Sequence, residues 1–298
     1  MPGVFPAGSG GNHVSLSIAS WNVNSVRKRM EGVAALAREN APDVICLQET
    51  KATDDVFPAA EIAALGYRHQ AIHGIKGYNG VAILSRLPLR EIETYPWCDK
   101  LDGRHISAVV APGKKLPEIE VHSLYVPAGG ELPDPVRNPK FAHKLRFLAE
   151  QANWWAARGP KRDAHQPARI LAGDFNVAPL VADVWSHERL KNVVTHTEIE
   201  IRHLDTLQHA GGWVDAVRQL LGDDEQVYTW WSYRAADWAE ADRGRRLDHI
   251  WVSDDLTDAL SGAQVLRHAR DWNTPSDHVP VIVTLGGRKT RAKPRPTK

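Results

Sequence analysis

Acidic and amide side chains follow apolar stretches directly at several separated places in this chain. The five places are residues 19–22, 45–49, 171–176, 246–249 and 275–278, and they contain Asn22, Glu49, Asp174, Asn176, Asp248, Asp277 and His278. A carboxylate beside a buried strand is costly unless it is paired or bound to a metal ion. Carboxylate and amide oxygens are the ligands that hard cations prefer. The pattern therefore predicts a site for Mg²⁺ or Mn²⁺ where these strand ends converge.

Each of these places also has an ordinary structural interpretation when it is taken alone. Glu49 fits a solvated residue before a loop, and residues 173–176 fit a turn, because Gly, Asp and Asn favour turns. Asp277 and His278 fit an ion pair that holds a loop. Their joint occurrence in one chain favours a chemical site over these separate structural explanations.

The elements that must position these side chains include both strands and helices. Leu16 and Ile18 alternate with serines, which predicts a strand, and residues 26–37 have helical spacing. Further strands are predicted over residues 43–47, 81–85, 106–111, 119–126, 169–172, 247–252 and 279–285, and helices over 139–157 and 213–221. Because strands outnumber helices and often follow one another directly, we expect an α+β fold with packed sheets and helices outside.

The overall composition is that of an ordinary globular protein. The chain has 298 residues, of which 43% are hydrophobic and 24% are charged, and its formal net charge is +1. A near-neutral total neither predicts nor excludes nucleic acid binding, because a carboxylate-rich metal site offsets basic residues elsewhere. Two cysteines make no disulfide scaffold, and no signal peptide or membrane span is recognisable, so we expect a cytoplasmic protein.

Both ends differ in composition from the rest of the chain. Residues 1–13 are rich in Gly, Pro and Ser, which predicts a disordered N-terminal extension. Residues 286–298 contain six basic residues and no acidic ones, which predicts a flexible basic tail. Residues 14–285 are then expected to form a single domain.

Eight short motifs follow one another along this central part. They are Trp-Asn-Val-Asn-Ser-Val-Arg at 21–27, Leu-Gln-Glu-Thr-Lys at 47–51, Gly-Val-Ala-Ile-Leu-Ser at 80–85, Tyr-Val-Pro at 125–127, Gly-Asp-Phe-Asn at 173–176, Tyr-Thr-Trp-Trp-Ser-Tyr-Arg at 228–234, Arg-Leu-Asp-His at 246–249 and Ser-Asp-His-Val-Pro at 276–280. In this order they resemble the exonuclease III family of bacterial AP endonucleases, within the endonuclease/exonuclease/phosphatase superfamily. The resemblance implies a four-layer α/β sandwich, in which two mixed β-sheets lie face to face with helices outside and the active site at one rim. It also implies a metal-dependent DNA phosphodiesterase, acting as an AP endonuclease and a 3′–5′ exonuclease in base excision repair.

The resemblance assigns roles to the polar residues at the strand ends. Glu49 is similar to the principal metal ligand of the family, with Asn22 and Asn24 beside it. Asp174 resembles the group that orients or deprotonates the attacking water, and Asn176 resembles a donor to the scissile phosphate. These residue types suit phosphodiester hydrolysis, which needs a positioned water and a counter to growing negative charge.

A second group of residues matches family contacts to the phosphate. Tyr125 is similar to a tyrosine that contacts it, and His278 resembles a histidine that stabilises phosphoryl charge, oriented by Asp277. Asp248 is expected to support this constellation. The chain departs from the family after Tyr125, because residues 128–130 are Ala-Gly-Gly where many relatives have an amide that contacts phosphate.

The implied partner is double-stranded DNA with abasic sites or damaged 3′ ends, bound by a monomer and away from membranes. Trp230, Trp231 and Arg234 are predicted DNA contacts, because aromatic rings stack or wedge against bases and arginine binds phosphate. In relatives, apolar or aromatic residues wall the abasic-sugar pocket at the positions of Trp230, Arg245 and Leu247. Arg245 is therefore an unexpected wall residue.

Two other functions remain open. Residues 96–100, Pro-Trp-Cys-Asp-Lys, superficially resemble a motif of inositol polyphosphate 5-phosphatases, so a phosphatase of inositol phosphates or phospholipids is an alternative. In those enzymes the motif follows the Gly-Asp-x-Asn step, whereas here it precedes it, which favours a surface turn. A non-catalytic DNA-binding relative would have lost Glu49, Asp174, Asn176 or His278, and all four are present.

Overall fold

The structure is a computed structural model that describes residues 15–113, 116–159, 166–235 and 237–286. The extension predicted over residues 1–13 lies outside these residues. So does the basic tail, apart from its first residue, Gly286. Within the described residues, no helix is both long enough and apolar enough to cross a bilayer.

The described residues form two six-stranded sheets. The strands are β1 Ser15–Asn22, β2 Val44–Gln48, β3 His69–His73, β4 Val81–Ser85, β5 Leu89–Thr94, β6 His105–Val110, β7 Ile119–Tyr125, β8 Ala168–Asp174, β9 Trp213–Asp215, β10 Asp248–Ser253, β11 Leu260–Val265 and β12 Val281–Gly286. The first sheet has the order β11-β12-β1-β2-β4-β3 and the second β5-β6-β7-β8-β10-β9. Both sheets are mixed, because β1 runs parallel to β2 and β7 runs parallel to β8, while their other pairs are antiparallel.

Helices cover the outer faces of the two sheets. They are α1 Met30–Glu39, α2 Ala59–Ala64, α3 Pro139–Arg158, α4 His187–Leu190, α5 Glu198–Gly211, α6 Ala216–Leu221 and α7 Trp238–Ala241. Ile18 of β1 packs between the sheets, whereas its neighbour Ala19 packs in the cluster that contains Leu36 of α1. On the other side, Leu171 of β8 packs with Trp155 of α3. Apolar side chains on both faces of each sheet therefore give the predicted four-layer sandwich.

The sequence predictions of the helices succeed to different degrees. The helix predicted over 139–157 is α3, which Asn138 caps by accepting a hydrogen bond from the backbone N–H of Lys140. The helix predicted over 213–221 is wrong at its start, because Trp213–Asp215 pair with β10 as strand β9. Asp215 then caps α6. Helix α5 was not predicted from apolar spacing, although its capping box, in which Thr197 and Glu200 bond reciprocally, is visible in the sequence.

A buried pair of histidines joins β6 and β7 away from the strand ends that carry the acids. The indole N–H of Trp97 donates to Nδ1 of His105 over 3.1 Å, so Nε2 of His105 carries the proton and donates to Nδ1 of His122 over 2.9 Å. Nε2 of His122 lies 3.4 Å from Glu120, whose carboxylate also accepts two bonds from Arg158. Burial lowers the pKa of both histidines below the ordinary value, so both stay neutral in the folded protein.

This pair predicts a loss of stability on mild acidification. Unfolded histidine has a pKa of about 6.5, so below that pH the unfolded chain binds protons that the folded protein excludes. We expect the free energy of unfolding to fall with decreasing pH by up to about 1.4 kcal/mol per pH unit for each such histidine. Thermal melts between pH 7.5 and 5 measure the slope, which should be flatter for His122→Gln. The matched control is His268→Gln, at an exposed histidine. Equal slopes in all three proteins would contradict the assignment.

Candidate active site

The strand register brings the predicted residues to one rim of the sandwich. Asn22 ends β1 opposite Gln48, which ends the parallel strand β2. In the second sheet Tyr125 ends β7 opposite Asp174, the last residue of β8, and Asp248 lies opposite Asp174 from the antiparallel strand β10. Because the two sheets face each other, these ends converge, and Asn22 bonds directly to Asp174.

Asp174 is a buried acid of the site that accepts several hydrogen bonds. Its Oδ2 accepts hydrogen bonds from Nδ2 of Asn22 over 2.9 Å and from Nδ2 of Asn176 over 3.1 Å, and its Oδ1 accepts from the backbone N–H of Asn176. Burial raises its pKa, and the nearby carboxylate of Asp248 adds to this effect, while His278 opposes it. A carboxylate whose pKa lies above its usual range is suited to accept a proton near neutral pH.

The histidine of the site is paired with Asp248. Nδ1 of His278 lies 2.8 Å from Oδ2 of Asp248, and Nε2 of His278 lies 3.7 Å from Oδ2 of Asp174. Burial alone would lower the pKa of His278, but the carboxylates of Asp248 and Asp174 outweigh it and raise the pKa above its ordinary value. The ring is therefore held as an imidazolium with Nε2–H directed towards Asp174.

Asp277 does not orient His278, which corrects the pairing expected from the sequence. Its Oδ1 accepts a hydrogen bond from Nδ2 of Asn24 over 3.0 Å, and its Oδ2 accepts from the indole N–H of Trp230 over 3.0 Å. Asp277 lies in a bend before His278, and both of its carboxylate oxygens are engaged by these other partners. Asp277 therefore ties Asn24 to Trp230, while Asp248 supports the imidazolium.

Glu49 lies at the same rim, on the side of the first sheet. Its Oε1 accepts hydrogen bonds from Nδ2 of Asn22 and from the hydroxyl of Tyr125, both over 2.9 Å, and its Oε2 lies 2.7 Å from Nζ of Lys51. Burial opposes ionisation of Glu49, but the bonds from Asn22 and Lys51 outweigh it and lower its pKa. Burial, with the charge of Glu49, raises the pKa of Tyr125 well above 10, so Tyr125 remains a phenol.

The oxygens expected to bind a cation converge on a positive charge. Nζ of Lys51 lies 2.7 Å from Oε2 of Glu49 and 2.6 Å from Oδ1 of Asn24, so an ammonium bridges two predicted ligands. Nδ2 of Asn22 faces Glu49 and Asp174, while its Oδ1 accepts the backbone N–H of Asn24. The metal role of Asn22 therefore stays a prediction, and the oxygens of Glu49 and Asn24 fit a hard cation.

A second set of ligand atoms lies within the second sheet. Asp174, Asp248 and His278 bring three potential ligand atoms within 4.8 Å of one another, but the imidazolium of His278 has no free lone pair, which leaves the two carboxylates as donors. Oδ1 of Asp248 is buried and has no hydrogen-bond partner among the described residues. A buried carboxylate oxygen without a partner is costly unless something pairs with it. The donor chemistry at this rim therefore fits a hard divalent cation.

The backbone at the site is strained. Asn24, Glu49, Lys51 and Asn176 have φ of 45°, 50°, 49° and 53°, in the left-handed region. Asn tolerates this region, but Glu and Lys adopt it rarely. Strained residues of this kind persist only where the surrounding contacts hold them, and they cluster at functional sites.

The predicted sugar pocket lies beside the imidazolium. The backbone of Trp230 forms bridges to both Arg245 and His278, so the three residues lie side by side. The guanidinium of Arg245 lies 5.3 Å from the ring of Trp230, and its Nη1 donates to the carbonyl of Val194 and to Oγ1 of Thr195. Leu247 is buried in the apolar cluster that Trp230 packs against. The wall is therefore a tryptophan covered by a tethered cation.

Two predicted DNA contacts, Trp231 and Arg234, lie outside the predicted sugar pocket. Trp231 is only 2% exposed, packs 5.2 Å from the ring of Trp238, and donates its indole N–H to Asp242, so it is a core residue and its predicted DNA contact is wrong. It follows Trp230 directly, and alternation turns it inwards. Arg234 has a side chain that is 89% exposed, 3.7 Å from Glu131, and remains available at the surface.

The profile of the endonuclease/exonuclease/phosphatase family matches residues 19–278, which is most of the chain and includes every residue of the site described above. The chain belongs to this family. Exodeoxyribonuclease III of Haemophilus influenzae is 27% identical over 271 residues, which cover 89% of this chain and 98% of that protein. The prediction of an exonuclease III-type member is confirmed by such relatives.

Solved structures of AP endonucleases and related enzymes have the same fold as this chain. An AP endonuclease from Archaeoglobus fulgidus superimposes with a TM-score of 0.80 at 32% identity, covering 91% of this chain and 99% of that one. A 3′ phosphatase from Neisseria, bound to a product DNA hairpin, has a TM-score of 0.80 at 30% identity and covers 91% of this chain and all of that one. The predicted fold class is confirmed by these structures.

Sequence reasoning missed three residues that hold this family site together. Lys51 lies within the motif at 47–51 but was not assigned a role, although it is the only cation in that motif. The hydroxyl of Ser276 donates to the carbonyl of Asn22 over 2.7 Å. Arg104 lies over the ring of Tyr125 at 4.9 Å, and no sequence motif points to it.

We expect Glu49→Gln to lower the affinity of the site for Mg²⁺. The substitution keeps the bonds from Asn22 and Tyr125 feasible but removes the negative charge that a hard cation requires. The Mg²⁺ concentration for half-maximal activity should rise about tenfold or more, with a lower maximum rate, on the basis that a charged ligand contributes more than about 1.4 kcal/mol. Mg²⁺ titrations of turnover measure this. Glu61→Gln, at an exposed glutamate of α2, is the matched control. An unchanged titration curve and maximum rate would show that Glu49 is not a ligand.

Proposed function

We propose that this protein is a divalent-metal-dependent DNA phosphodiesterase of the exonuclease III type, which cleaves duplex DNA at abasic sites and clears damaged 3′ ends. The observation that carries the proposal is the buried carboxylate of Asp174, which lies 3.7 Å from an imidazolium that is itself paired with Asp248. Family relatives named as exodeoxyribonuclease III and AP endonuclease support the same activity.

The proposed reaction joins water to phosphorus and breaks the bond to the leaving oxygen. Asp174 accepts the proton of the attacking water, a role supported by its raised pKa and its fixed orientation. Nε2–H of His278 donates to a non-bridging phosphate oxygen, where negative charge grows. A bound divalent cation supplies further neutralisation of phosphate charge and stabilises the leaving oxygen.

Asn176 and Tyr125 take supporting roles in this proposal. Nδ2 of Asn176 donates to the carbonyl of Val126 and to Asp174, so a phosphate oxygen competes with Asp174 for one of these bonds. The hydroxyl of Tyr125 is committed to Glu49. Tyr125 therefore contributes by holding the carboxylate that, with Asn24, would bind the cation.

The same proposal includes the identity of the metal ion, the DNA partner, the oligomeric state and the location of the protein. The ion is Mg²⁺ or Mn²⁺, because the available donors are hard oxygens. The partner is double-stranded DNA with abasic sites or damaged 3′ ends, bound by one domain over residues 14–285. The protein acts as a monomer in the cytoplasm.

The test is turnover on defined substrates in Mg²⁺ and in EDTA. We expect metal-dependent cleavage of duplexes that carry an abasic analogue, a 3′-phosphate or an undamaged recessed 3′ end. Inositol trisphosphate and sphingomyelin serve as competing substrate classes. Hydrolysis of either without cleavage of DNA would replace this proposal with the phosphatase alternative.

We expect Trp230 and Arg245 to set the balance between DNA substrates. Trp230→Ala should lower cleavage at an abasic analogue by about 10-fold or more, because a misplaced sugar reacts poorly. Arg245→Leu should shift the ratio of rates towards the abasic substrate by replacing a tethered cation with an apolar wall. Arg243→Leu, at an exposed arginine of the same loop, is the control. Equal effects on every DNA substrate would show that neither side chain sets selectivity.

A further inference from the structure

A lysine and a glutamate form a fully buried ion pair behind the proposed site. Lys144 lies in α3 and Glu200 in the first turn of α5, and neither side chain is exposed. Nζ of Lys144 donates to the carboxylate of Glu200 and, over 2.7 Å, to the backbone carbonyl of Asn176. A buried ion pair gives little net stability, because desolvation of both charges offsets their attraction. Its contacts therefore need another explanation.

Glu200 connects the pair to the loop of Thr195 and Thr197, to which Arg245 of the pocket wall is tethered. Its carboxylate accepts the backbone N–H of Thr195 over 3.0 Å and both the N–H and the hydroxyl of Thr197. Thr195 has φ of 91°, which is rare for a β-branched residue and persists only where contacts hold it. Oγ1 of Thr195 accepts a hydrogen bond from Arg245 over 2.7 Å.

The loop after β7 is shaped around Lys144. Gly129 has φ of 89°, and a Cβ at this position would lie 2.9 Å from Cδ of Lys144 and 3.1 Å from Cγ1 of Val194. Only glycine combines this backbone conformation with this close approach. Gly129, within the Ala-Gly-Gly sequence that departs from the family, thus packs directly against the lysine.

We propose that Lys144 and Glu200 are a positioning pair that sets Asn176 and, through Thr195, Arg245. The proposal rests on the proposed function, because it concerns the same site. Lys144 holds the carbonyl of the residue whose side chain bonds to Asp174. Glu200 holds the strained residue to which Arg245 is tethered. One buried pair thereby positions both Asn176, which bonds to the proposed base Asp174, and Arg245, which covers the pocket wall.

The decisive variant removes both charges together. Lys144→Met and Glu200→Gln each leave one buried charge unpaired, so each is expected to lower Tm strongly. The double variant contains neither charge, and its Tm should return most of the way from that of the single variants to that of the parent protein, since neutral replacements of buried pairs are well tolerated. It still lacks the donor to Asn176. Lys140→Met, at an exposed lysine of the same helix, is the control.

We expect the double variant to fold and to turn over slowly. At saturating DNA its kcat should fall about 10- to 100-fold, because a displacement of about 1 Å at a site costs up to this much. DNA affinity in Ca²⁺ should change less than about threefold, since few binding contacts are lost. The ratio of rates on abasic and undamaged duplexes should also change. A double variant with recovered Tm and the kcat of the parent protein would overturn the proposal.

A second measurement does not depend on activity. The side-chain amide of Asn176 can be observed by NMR in asparagine-labelled protein and assigned with Asn176→Asp. We expect its resonance to shift or broaden in the double variant and to remain unchanged in Lys140→Met. An unmoved resonance would overturn the positioning role even in an active enzyme. A moved resonance, combined with a parent protein that cleaves no DNA, would instead count against the proposed function while leaving the positioning role intact.

Discussion

Replacement of Asp174 by asparagine is expected to lower turnover by about 10²- to 10⁴-fold, the usual contribution of a general base. The substitution keeps the shape of the side chain but removes its charge and basicity. Asp174 is buried, accepts three hydrogen bonds and lies beside the imidazolium of His278, so no other carboxylate can take its position relative to Asn176.

The measurement is kcat on a duplex with an abasic analogue, together with DNA affinity in Ca²⁺. Affinity should be largely kept, because the change removes repulsion towards phosphate rather than a contact to it. Asp223→Asn, at an exposed aspartate, provides the control. Near-normal turnover in Asp174→Asn would refute the role of Asp174 as the base.

His278→Gln is expected to reduce kcat by about 10²- to 10³-fold, the typical loss when one donor to the developing charge is removed. The neutral amide cannot supply the charge-assisted bond of an imidazolium. Because glutamine leaves the carboxylate of Asp248 buried and unpaired, Tm and DNA affinity must be measured on the same preparation. Turnover equal to that of the parent protein would exclude His278 from the reaction.

The partner of the imidazolium can be tested separately. Asp248→Asn removes the carboxylate that lies 2.8 Å from His278, whereas Asp277→Asn removes one that bonds to Asn24 and Trp230. We expect the first substitution to lower kcat at least about tenfold more than the second, because only the first deprives the ring of its charge-assisted bond. Equal losses would return the orienting role to Asp277.

The positions of the acids were predictable because they depend on local pattern. Apolar strands that stop at Glu49 and Asp174 are visible in the sequence, and parallel neighbours end at the same edge of a sheet. Helix α3 was predictable for the same reason, since its apolar spacing and its Asn138-Pro139 start are local signals.

The partners of these acids were not predictable, because they depend on which face each side chain occupies. Asp277 and His278 are adjacent in sequence, but their side chains bond to different partners, Asp277 to Asn24 and Trp230 and His278 to Asp248. Trp230 and Trp231 illustrate the same rule, with one ring at the pocket and the other in the core. Lys144 gave no signal at all, because a lysine in an amphipathic helix is ordinarily a surface residue.

The left-handed backbone of Asn24, Glu49, Lys51 and Asn176 has a consequence for how this sequence can change. Glycine at Glu49 or Lys51 would relieve the conformational cost and favour folding. It would also remove two side chains that contact each other at the proposed metal site. Selection for thermal stability alone would therefore drive these positions towards glycine and away from activity. A library sorted for heat resistance and then assayed for cleavage should therefore contain glycine at Glu49 or Lys51 in heat-resistant variants that have lost activity.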